Sequence, residues 1–420
     1  MRQQSNKKQL IDFIEKQAAL AVELETLLTA IPAVSPVSGG EGELKKCEAL
    51  EVFLRAHGIN NLERVDIKDK NAAGGIRPNL IATLEGGDDD AARLWIMSHL
   101  DVVPPGELKL WQSDPWKLVE KDGKIFGRGV EDNQQGLCSS VIAALSFVAA
   151  GIRPARTLKL LFVADEECGS DYGIDALIKL DEKARGCGGK TIFRMGDYAV
   201  IPDGGDRLGE TIEIAEKHLC WVKFTTHGRQ THGSRPDEGI NAFLAASALV
   251  IRLCTGLYSM FNAKDSLFEP SYSTFEPSKK EANVENINTI PGEDVFYFDM
   301  RILPVYSVAQ VMDAAGKIVR EIEAEYGVSV ESKIVQSVES RPTPDGAPVV
   351  TRLAAAVEEV LGVKPRPVGI GGGTVGAFLR NAGIDAAVWS KMEDTAHNPN
   401  ESAIVSNILD GAKVMALMAL

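Results

Sequence analysis

Two short runs in this chain, RLWIMSHL (residues 93–100) and TLKLLFVAD (residues 157–165), are mostly apolar and carry histidine or aspartate at or next to their last position. A strand that is apolar on both faces has to be covered on both, which is the situation of strands in parallel sheets flanked by helices. The neighbouring segments fit that demand. NLIATLEG (79–86) is a further strand, GGEGELKKCEALEVFLRAHGI (39–59) carries apolar residues at helical spacing, and NQQGLCSSVIAALSFVAAG (133–151) reads as a buried helix closed by Gly151. Strands alternating with helices predict an α/β sheet covered on both faces.

The chain has 420 residues, and single cores stop growing at about 250–300 residues, so two domains are expected. The pattern changes near residue 210. TIEIAEKHLCWVKFTTHG (211–228) alternates with period two over two short strands, followed by the helix GINAFLAASALVIRLCTGLYSMF (239–261), the strand DVFYFDMRIL (294–303), the helix VAQVMDAAGKIVREIEAEYG (308–327) and the strand SVESKIVQSV (329–338). This β-β-α-β-α-β order predicts a small α+β domain. From PVVTRLAAAVEEVLG (348–362) helix and strand alternate again. The expected organisation is residues 1–209 as the first part of an α/β domain, 210–338 as an α+β insertion, and 339–420 as the second part of the α/β domain.

A formal net charge of −14 argues against nucleic acid or an anionic membrane as partner, since both call for a basic surface. The first 31 residues carry charges throughout, with no apolar core and no small-residue cleavage site, so they predict an amphipathic helix rather than a signal peptide. No window is expected to reach the roughly 18 apolar residues that span a bilayer. Cys47, Cys138, Cys168, Cys187, Cys220 and Cys254 are scattered without a CxxC pair. That predicts free thiols in a reducing cytoplasm, not disulfides or a zinc finger.

The chemistry concentrates where the buried strands end. SHLD supplies His99 and Asp101, GRGVEDNQQG supplies Glu131 and Asp132, VADEECGS supplies Asp165, Glu166 and Glu167, AVIPDGG ends in Asp203, and DTAHNPNES offers His397. Charge at the carboxyl edge of a parallel sheet is placed where open α/β sheets bind ligands. So many carboxylates on one edge call for a neutralising cation, because unpaired buried charge is too costly. Histidine mixed with Asp and Glu suits zinc or a similar divalent ion, and an excess of carboxylates suits two ions sharing one of them.

The ordered set SHLDVVP, GRGVEDNQQG, DEECGS, PDGG, HGRQTHGSRPDEGINA, NTIPGEDVFYFDMRILP, GGGT and AHNPNES resembles the M20 family of metal-dependent peptidases and deacylases over nearly the whole chain. The resemblance implies a two-domain fold, an α/β catalytic domain with an inserted α+β lid or dimerisation domain. It implies that His99 and Asp203 bind one metal, Glu167 and His397 the other, and that Asp132 bridges them, with a cis peptide between Asp132 and Asn133. Glu166 resembles the general base. Asp101 is expected behind His99, holding its ring, and His232 is expected to supply a hydrogen bond to the oxyanion from the neighbouring subunit of a homodimer. Asn288, Arg301, Gly372, Gly373 and Thr374 match substrate-binding positions, although an arginine on a strand equally serves as a structural ion-pair partner. His57, His218 and His227 match nothing.

The implied activity is hydrolysis of an amide bond in an N-acyl amino acid, in the manner of succinyl-diaminopimelate desuccinylase. The ions would be zinc, with cobalt and manganese tolerated by the same ligands. An M20 dipeptidase or aminopeptidase acting on small peptides is the alternative. Asp203 stands where deacylases usually carry Glu and dipeptidases carry Asp, and GGGTVGAFL lacks the polar pair that follows this Thr in well-defined desuccinylases. Two remoter readings differ in class. GGGTVG (371–376) satisfies G-x-G-x-x-G between a strand and a helix, which suits an NAD-dependent oxidoreductase, but a second dinucleotide-binding half is missing. An inactive metal-binding scaffold would not need Glu166 together with all five presumed ligands.

Overall fold

The computed structural model describes residues 2–88 and 91–420. The chain divides into two compact units. The first comprises residues up to Ile214, Thr343–Pro367 and Phe378–Leu420; the second comprises Ala215–Pro342 and Val368–Ala377. The stretch Val368–Ala377, expected within the closing part of the α/β domain, groups with the second unit.

An eight-stranded sheet runs in the order Leu62–Lys68, Ile76–Leu84, Leu158–Val163, Leu94–His99, Tyr198–Asp206, Asp385–Lys391, Thr211–Glu216, Arg366–Ile370. Its middle four strands, from Leu158–Val163 to Asp385–Lys391, are parallel to one another. Their burial explains the apolar runs: all six residues of Leu94–His99 are buried, and so are five of the six of Leu158–Val163. The carboxyl ends of these parallel strands therefore lie along one edge of the sheet.

The helix Gly136–Ala150 is buried from Gly136 to Phe147. It packs against the helices Val405–Ala419 and Arg2–Ile14 and against three of the parallel strands. Its three serines do not break it, because each hydroxyl donates to a carbonyl one turn back: Ser139 to Gln135 at 2.8 Å, Ser140 to Leu137 at 2.7 Å and Ser146 to Ala143 at 2.6 Å. Gly136 opens the helix where a Cβ would stand 2.4 Å from the Pro202 carbonyl oxygen. This close approach sets the Asp132 loop beside the strand of Asp203. Gly136→Ala forces that backbone apart and is expected to cost about 1–3 kcal/mol of stability, read as a lower melting temperature of purified protein.

The second unit holds a four-stranded antiparallel sheet in the order Thr274–Lys280, Glu293–Ile302, His218–His227, Ser329–Val338. Strand alternation is clean: Cys220, Val222 and Phe224 and, opposite them, Phe296, Phe298 and Met300 enter one core with Leu249, Leu253, Val311 and Ile318 from two helices. The second of these helices, Val308–Tyr326, starts at a capping box formed by Ser307 and Gln310 and ends at Gly327 in the left-handed conformation.

Several expectations change. The strand Thr211–Glu216 joins the eight-stranded sheet rather than the sheet of His218–His227. Thr274–Lys280, which no apolar alternation announced, forms an exposed edge strand, with Pro277 and two lysines of the kind that protect such edges. The N-terminal segment is two helices, Arg2–Ile14 and Ala18–Thr29, not one. The helix Ala242–Met260 is long and apolar enough, by length and composition, to cross a membrane, contrary to the expectation that no window would be. One of its faces, Ala242, Ala245, Ala246, Leu249, Leu253 and Leu257, is buried, and its arginine, Arg252, pairs with Glu325 at 2.5 Å. All six cysteines are free.

Candidate metal centre

The carboxyl edge of the parallel strands gathers side chains far apart in sequence. His99 ends its strand with Nε2 2.8 Å from Asp132 Oδ1 and 3.6 Å from Asp203 Oδ1. His397 Nε2 lies 3.1 Å from Asp132 Oδ2 and 3.0 Å from Glu167 Oε2. Asp132 thus touches both imidazoles, one with each oxygen. Donor atoms of His99, Asp132 and Glu167 fall within 4.8 Å of one another, as do those of His99, Glu166 and Asp203. Asp132 sits in a wide helical turn, Val130–Gln135, and its peptide bond to Asn133 is cis.

Asp101 lies on the Nδ1 side of the His99 ring. His99 Nδ1 bonds at 3.0 Å to the backbone carbonyl of Asp101, while the Asp101 carboxylate stands 3.6 Å from that nitrogen. The carboxylate instead accepts the backbone N–H groups of Glu166 and Glu167, each at 3.0 Å. One residue therefore fixes the ring with its main chain and the two-glutamate turn with its side chain. Asp101→Ala leaves two N–H donors without this buried partner, at about 1–3 kcal/mol each. The expected result is a lower melting temperature of the metal-free protein together with at least a tenfold loss of turnover, measured on matched samples.

The electrostatics call for positive charge. Burial opposes a charge on His99, but Asp203 beside it and hydrogen bonds to its carboxylate neighbours hold its pKa well above the usual imidazole value. Hydrogen bonds with Asp132 and Glu167 push His397 up to about 10. Burial lifts Asp203 to about 6, and desolvation drives Glu166 well above the ordinary carboxyl range, against the pull of His99 and with the push of Asp203, Glu167 and Asp101. Asp132, though buried, is held well below the usual range by the two histidines. Proton uptake by imidazoles and carboxylates here offsets an excess of negative charge, which a divalent cation offsets equally. Imidazole nitrogens with carboxylate oxygens are also the donor chemistry such cations accept. The residues present fit the metal.

The remaining candidates lie in the second unit. His232 is exposed on a two-residue strand paired with Thr289–Ile290, which brings it next to Asn288. Its Nδ1 accepts the Ser234 N–H at 3.1 Å, so the neutral ring carries its hydrogen on Nε2. Arg301 grips Asp299 with Nε at 2.7 Å and Nη2 at 3.0 Å and donates from Nη1 to the Gly371 carbonyl at 2.9 Å. The ion-pair role left open for this arginine is realised. Thr374 donates its hydroxyl to Glu216. Gly372 and Gly373 are exposed, with nothing within 4 Å of an added Cβ. Of the unmatched histidines, His57 stacks on Phe53, His218 accepts the Ser340 N–H and His227 lies 3.3 Å from Glu293.

Some supporting residues escaped the sequence reading. The Asn133 amide donates to Asp203 Oδ1 at 2.8 Å and to the Pro202 carbonyl at 2.7 Å, joining two ligand-bearing segments. Buried Arg77 binds Glu43 through two nitrogens and reaches Asp165 at 3.1 Å, at the base of the Glu166 turn. The signal was present in IRPNLIATL, where a charge interrupts a buried strand, but its partner is 34 residues away and local pattern does not name it.

The mixed α/β sheet brings histidines and carboxylates together at the ends of its parallel strands, a donor set suited to divalent cations. A family model described as Peptidase family M20/M25/M40 matches residues 95–420, and the chain belongs to that family. An uncharacterized metallohydrolase from Methanocaldococcus jannaschii is 38% identical over 419 residues, covering 96% of this chain and 98% of its own. A succinyl-diaminopimelate desuccinylase from Wolbachia pipientis is 25% identical over 400 residues, covering 92% and 89%. The fold is shared with the dipeptidase Dug1p of Saccharomyces cerevisiae (TM-score 0.70, 18% identity, 98% of each chain) and with aminopeptidase PepT of Bacillus cereus (TM-score 0.72, 19% identity, 96% and 98%). Membership in a hydrolase family removes the oxidoreductase reading of GGGTVG.

Proposed function

We propose that this protein hydrolyses the amide bond of a small N-acyl amino acid, in the manner of succinyl-diaminopimelate desuccinylase, with Glu166 as general base. The observation that carries this reading is the meeting of His99, Asp132, Glu167, Asp203 and His397 at one sheet edge with Glu166 among them. In this reading His99 and Asp203 would hold one divalent ion and Glu167 and His397 a second, with Asp132 available to both. Zinc is the proposed ion, with cobalt or manganese as substitutes. Bound there, such ions supply Lewis acidity that stabilises charge on the attacked carbonyl oxygen and makes water a stronger nucleophile.

The protein's own groups do the rest. Glu166 takes a proton from the attacking water and returns it to the leaving nitrogen, so that the C–N bond breaks to a carboxylic acid and an amine. In the proposed dimer His232 of the partner subunit donates from Nε2 to the oxyanion, and Asn288, Arg301, Gly372, Gly373 and Thr374 hold the substrate. Arg301, tied to both Asp299 and Gly371, orients the glycine loop. Asp203, aspartate rather than glutamate, favours a second reading as a dipeptidase. Hydrolysis of a panel of N-acyl amino acids and dipeptides separates the two, and no turnover of either class with metal loaded defeats both.

The proposed assembly is a homodimer through the inserted domain, in a reducing cytoplasm. The helix Ala242–Met260 leaves Phe243, Leu244 and Ile251 exposed, beside the edge strand Thr274–Lys280, whose Pro277 and Lys279 line the same surface pocket as Phe243 and Ile251. A paired edge and a covered apolar face are what a second copy would provide. Light scattering is expected to give twice the chain mass; a monomer at micromolar concentration contradicts the dimer.

A further inference from the structure

We infer that Glu131 and Glu401, neither among the proposed metal donors, form a reciprocal clasp that locks the Asp132 loop to the His397 loop and so sets the occupancy of the ion those loops share. This inference rests on the reading of Asp132 and His397 as ligands. Both glutamates are positioning residues.

Each carboxylate belongs to one ligand-bearing loop and binds the backbone of the other. Glu401, fully buried and four residues beyond His397, accepts the N–H groups of Glu131 at 2.9 Å and Asp132 at 3.0 Å on one oxygen. Its other oxygen accepts the Gly129 N–H at 2.9 Å and Arg128 Nη1 at 2.6 Å. Glu131, adjacent to Asp132 and 2% exposed, runs the opposite way. It accepts the Glu393 N–H at 2.5 Å on one oxygen, and both the N–H and the hydroxyl of Thr395 on the other, the hydroxyl at 2.8 Å. Arg128 adds a bond from Nη2 to the His397 carbonyl at 3.3 Å. Thr395 also closes its own loop, its Oγ1 accepting the Ser402 N–H at 3.0 Å.

His397 needs such support. Its side chain is 55% exposed, so packing does not hold it, and its φ of +63° is a conformation that side-chain-bearing residues rarely adopt. Asp394 and Asn400 in the same loop also have positive φ. What holds the loop in this shape is the set of N–H bonds to buried carboxylates, which are stronger than neutral ones. His99, by contrast, is 2% exposed at the end of a buried strand. Loss of the Glu131 carboxylate frees the 393–395 backbone and so acts first on His397, while Glu401 still holds the Asp132 N–H, and the ion whose donors exclude His397 is affected less.

The test measures zinc retention. Dialysis of purified full-length protein against a chelator-buffered zinc solution is expected to leave two equivalents on the wild type and one on Glu131→Ala, from a fall in affinity of about 10–100-fold at one site. Glu131→Gln keeps one acceptor oxygen and turns its NH₂ toward the donors of the other arm, so a fall between those of the wild type and Glu131→Ala is expected. Thr395→Val removes only the hydroxyl arm, folds more safely, and is expected to shift the same site by a smaller factor. A merely structural role predicts a lower melting temperature of the metal-free variants with both ions held at wild-type affinity, and that result overturns the inference. Equal loss of both ions also overturns it. A wild type that holds no zinc overturns the ligand reading and the inference together, which distinguishes the two failures.

Discussion

Glu166→Gln is expected to lower kcat on the amide substrate by about 10²–10⁴-fold, the usual contribution of a general base, while zinc content stays at the wild-type value. The amide is nearly isosteric with the carboxylate and keeps the turn that Asp101 holds through the backbone N–H groups of Glu166 and Glu167. What it loses is the capacity to accept a proton. The geometry makes the measurement discriminating, because a carboxylate oxygen of Glu166 lies within 4.8 Å of donor atoms of both His99 and Asp203. A base and a ligand at this position predict different things. Retained zinc with lost turnover identifies the base; parallel loss of zinc and turnover would make Glu166 a ligand and leave the proton transfer to another group.

The second large effect concerns Asp132. Its two oxygens reach His99 at 2.8 Å and His397 at 3.1 Å, and on the proposed reading it is the carboxylate that both ions would share. Metal that binds only the folded state stabilises it by about 4 kcal/mol when present at 1,000 times its dissociation constant. Zinc is therefore expected to raise the melting temperature of the wild type and chelator to lower it. Asp132→Ala is expected to abolish turnover and to melt at one temperature with or without zinc. A variant that keeps two equivalents of zinc and a zinc-dependent melting temperature would show that Asp132 does not bridge.

Much of the architecture was legible because it depends on local pattern. Leu94–His99 and Leu158–Val163 announced themselves as doubly covered strands, and both proved central and parallel. Two of the strands that escaped notice have weak patterning: Leu62–Lys68 alternates charged and half-buried residues, and Thr274–Lys280 is exposed over five of its seven residues. The strand Thr211–Glu216 was recognised as a strand but assigned to the wrong sheet. Period-two alternation shows that a segment is extended without naming its neighbour.

The candidate centre divides in the same way. That the clusters carrying His99, Asp132, Glu167 and Asp203 share an edge could be anticipated, since each follows an apolar strand or opens a buried helix; which member of each cluster faces the others, and the place of His397, came only from the family resemblance. How the supporting groups are used could not be anticipated. Asp101 fixes His99 with its carbonyl and the Glu166 turn with its carboxylate, and Arg301 answers Asp299 two residues away while reaching Gly371 across 70 residues of chain.

The sequence by itself determined which residues stand at the ends of buried strands, because burial of an apolar run and its termination by charge are properties of a few consecutive residues. Only the tertiary structure decided where each carboxylate points. Glu131 and Asp132 are neighbours in the chain, yet one accepts hydrogen bonds from a loop 262 residues away and the other faces two histidines. The physical reason is that a carboxylate turns to whichever donors the fold brings within about 3 Å, and those donors come from distant segments that no local pattern names.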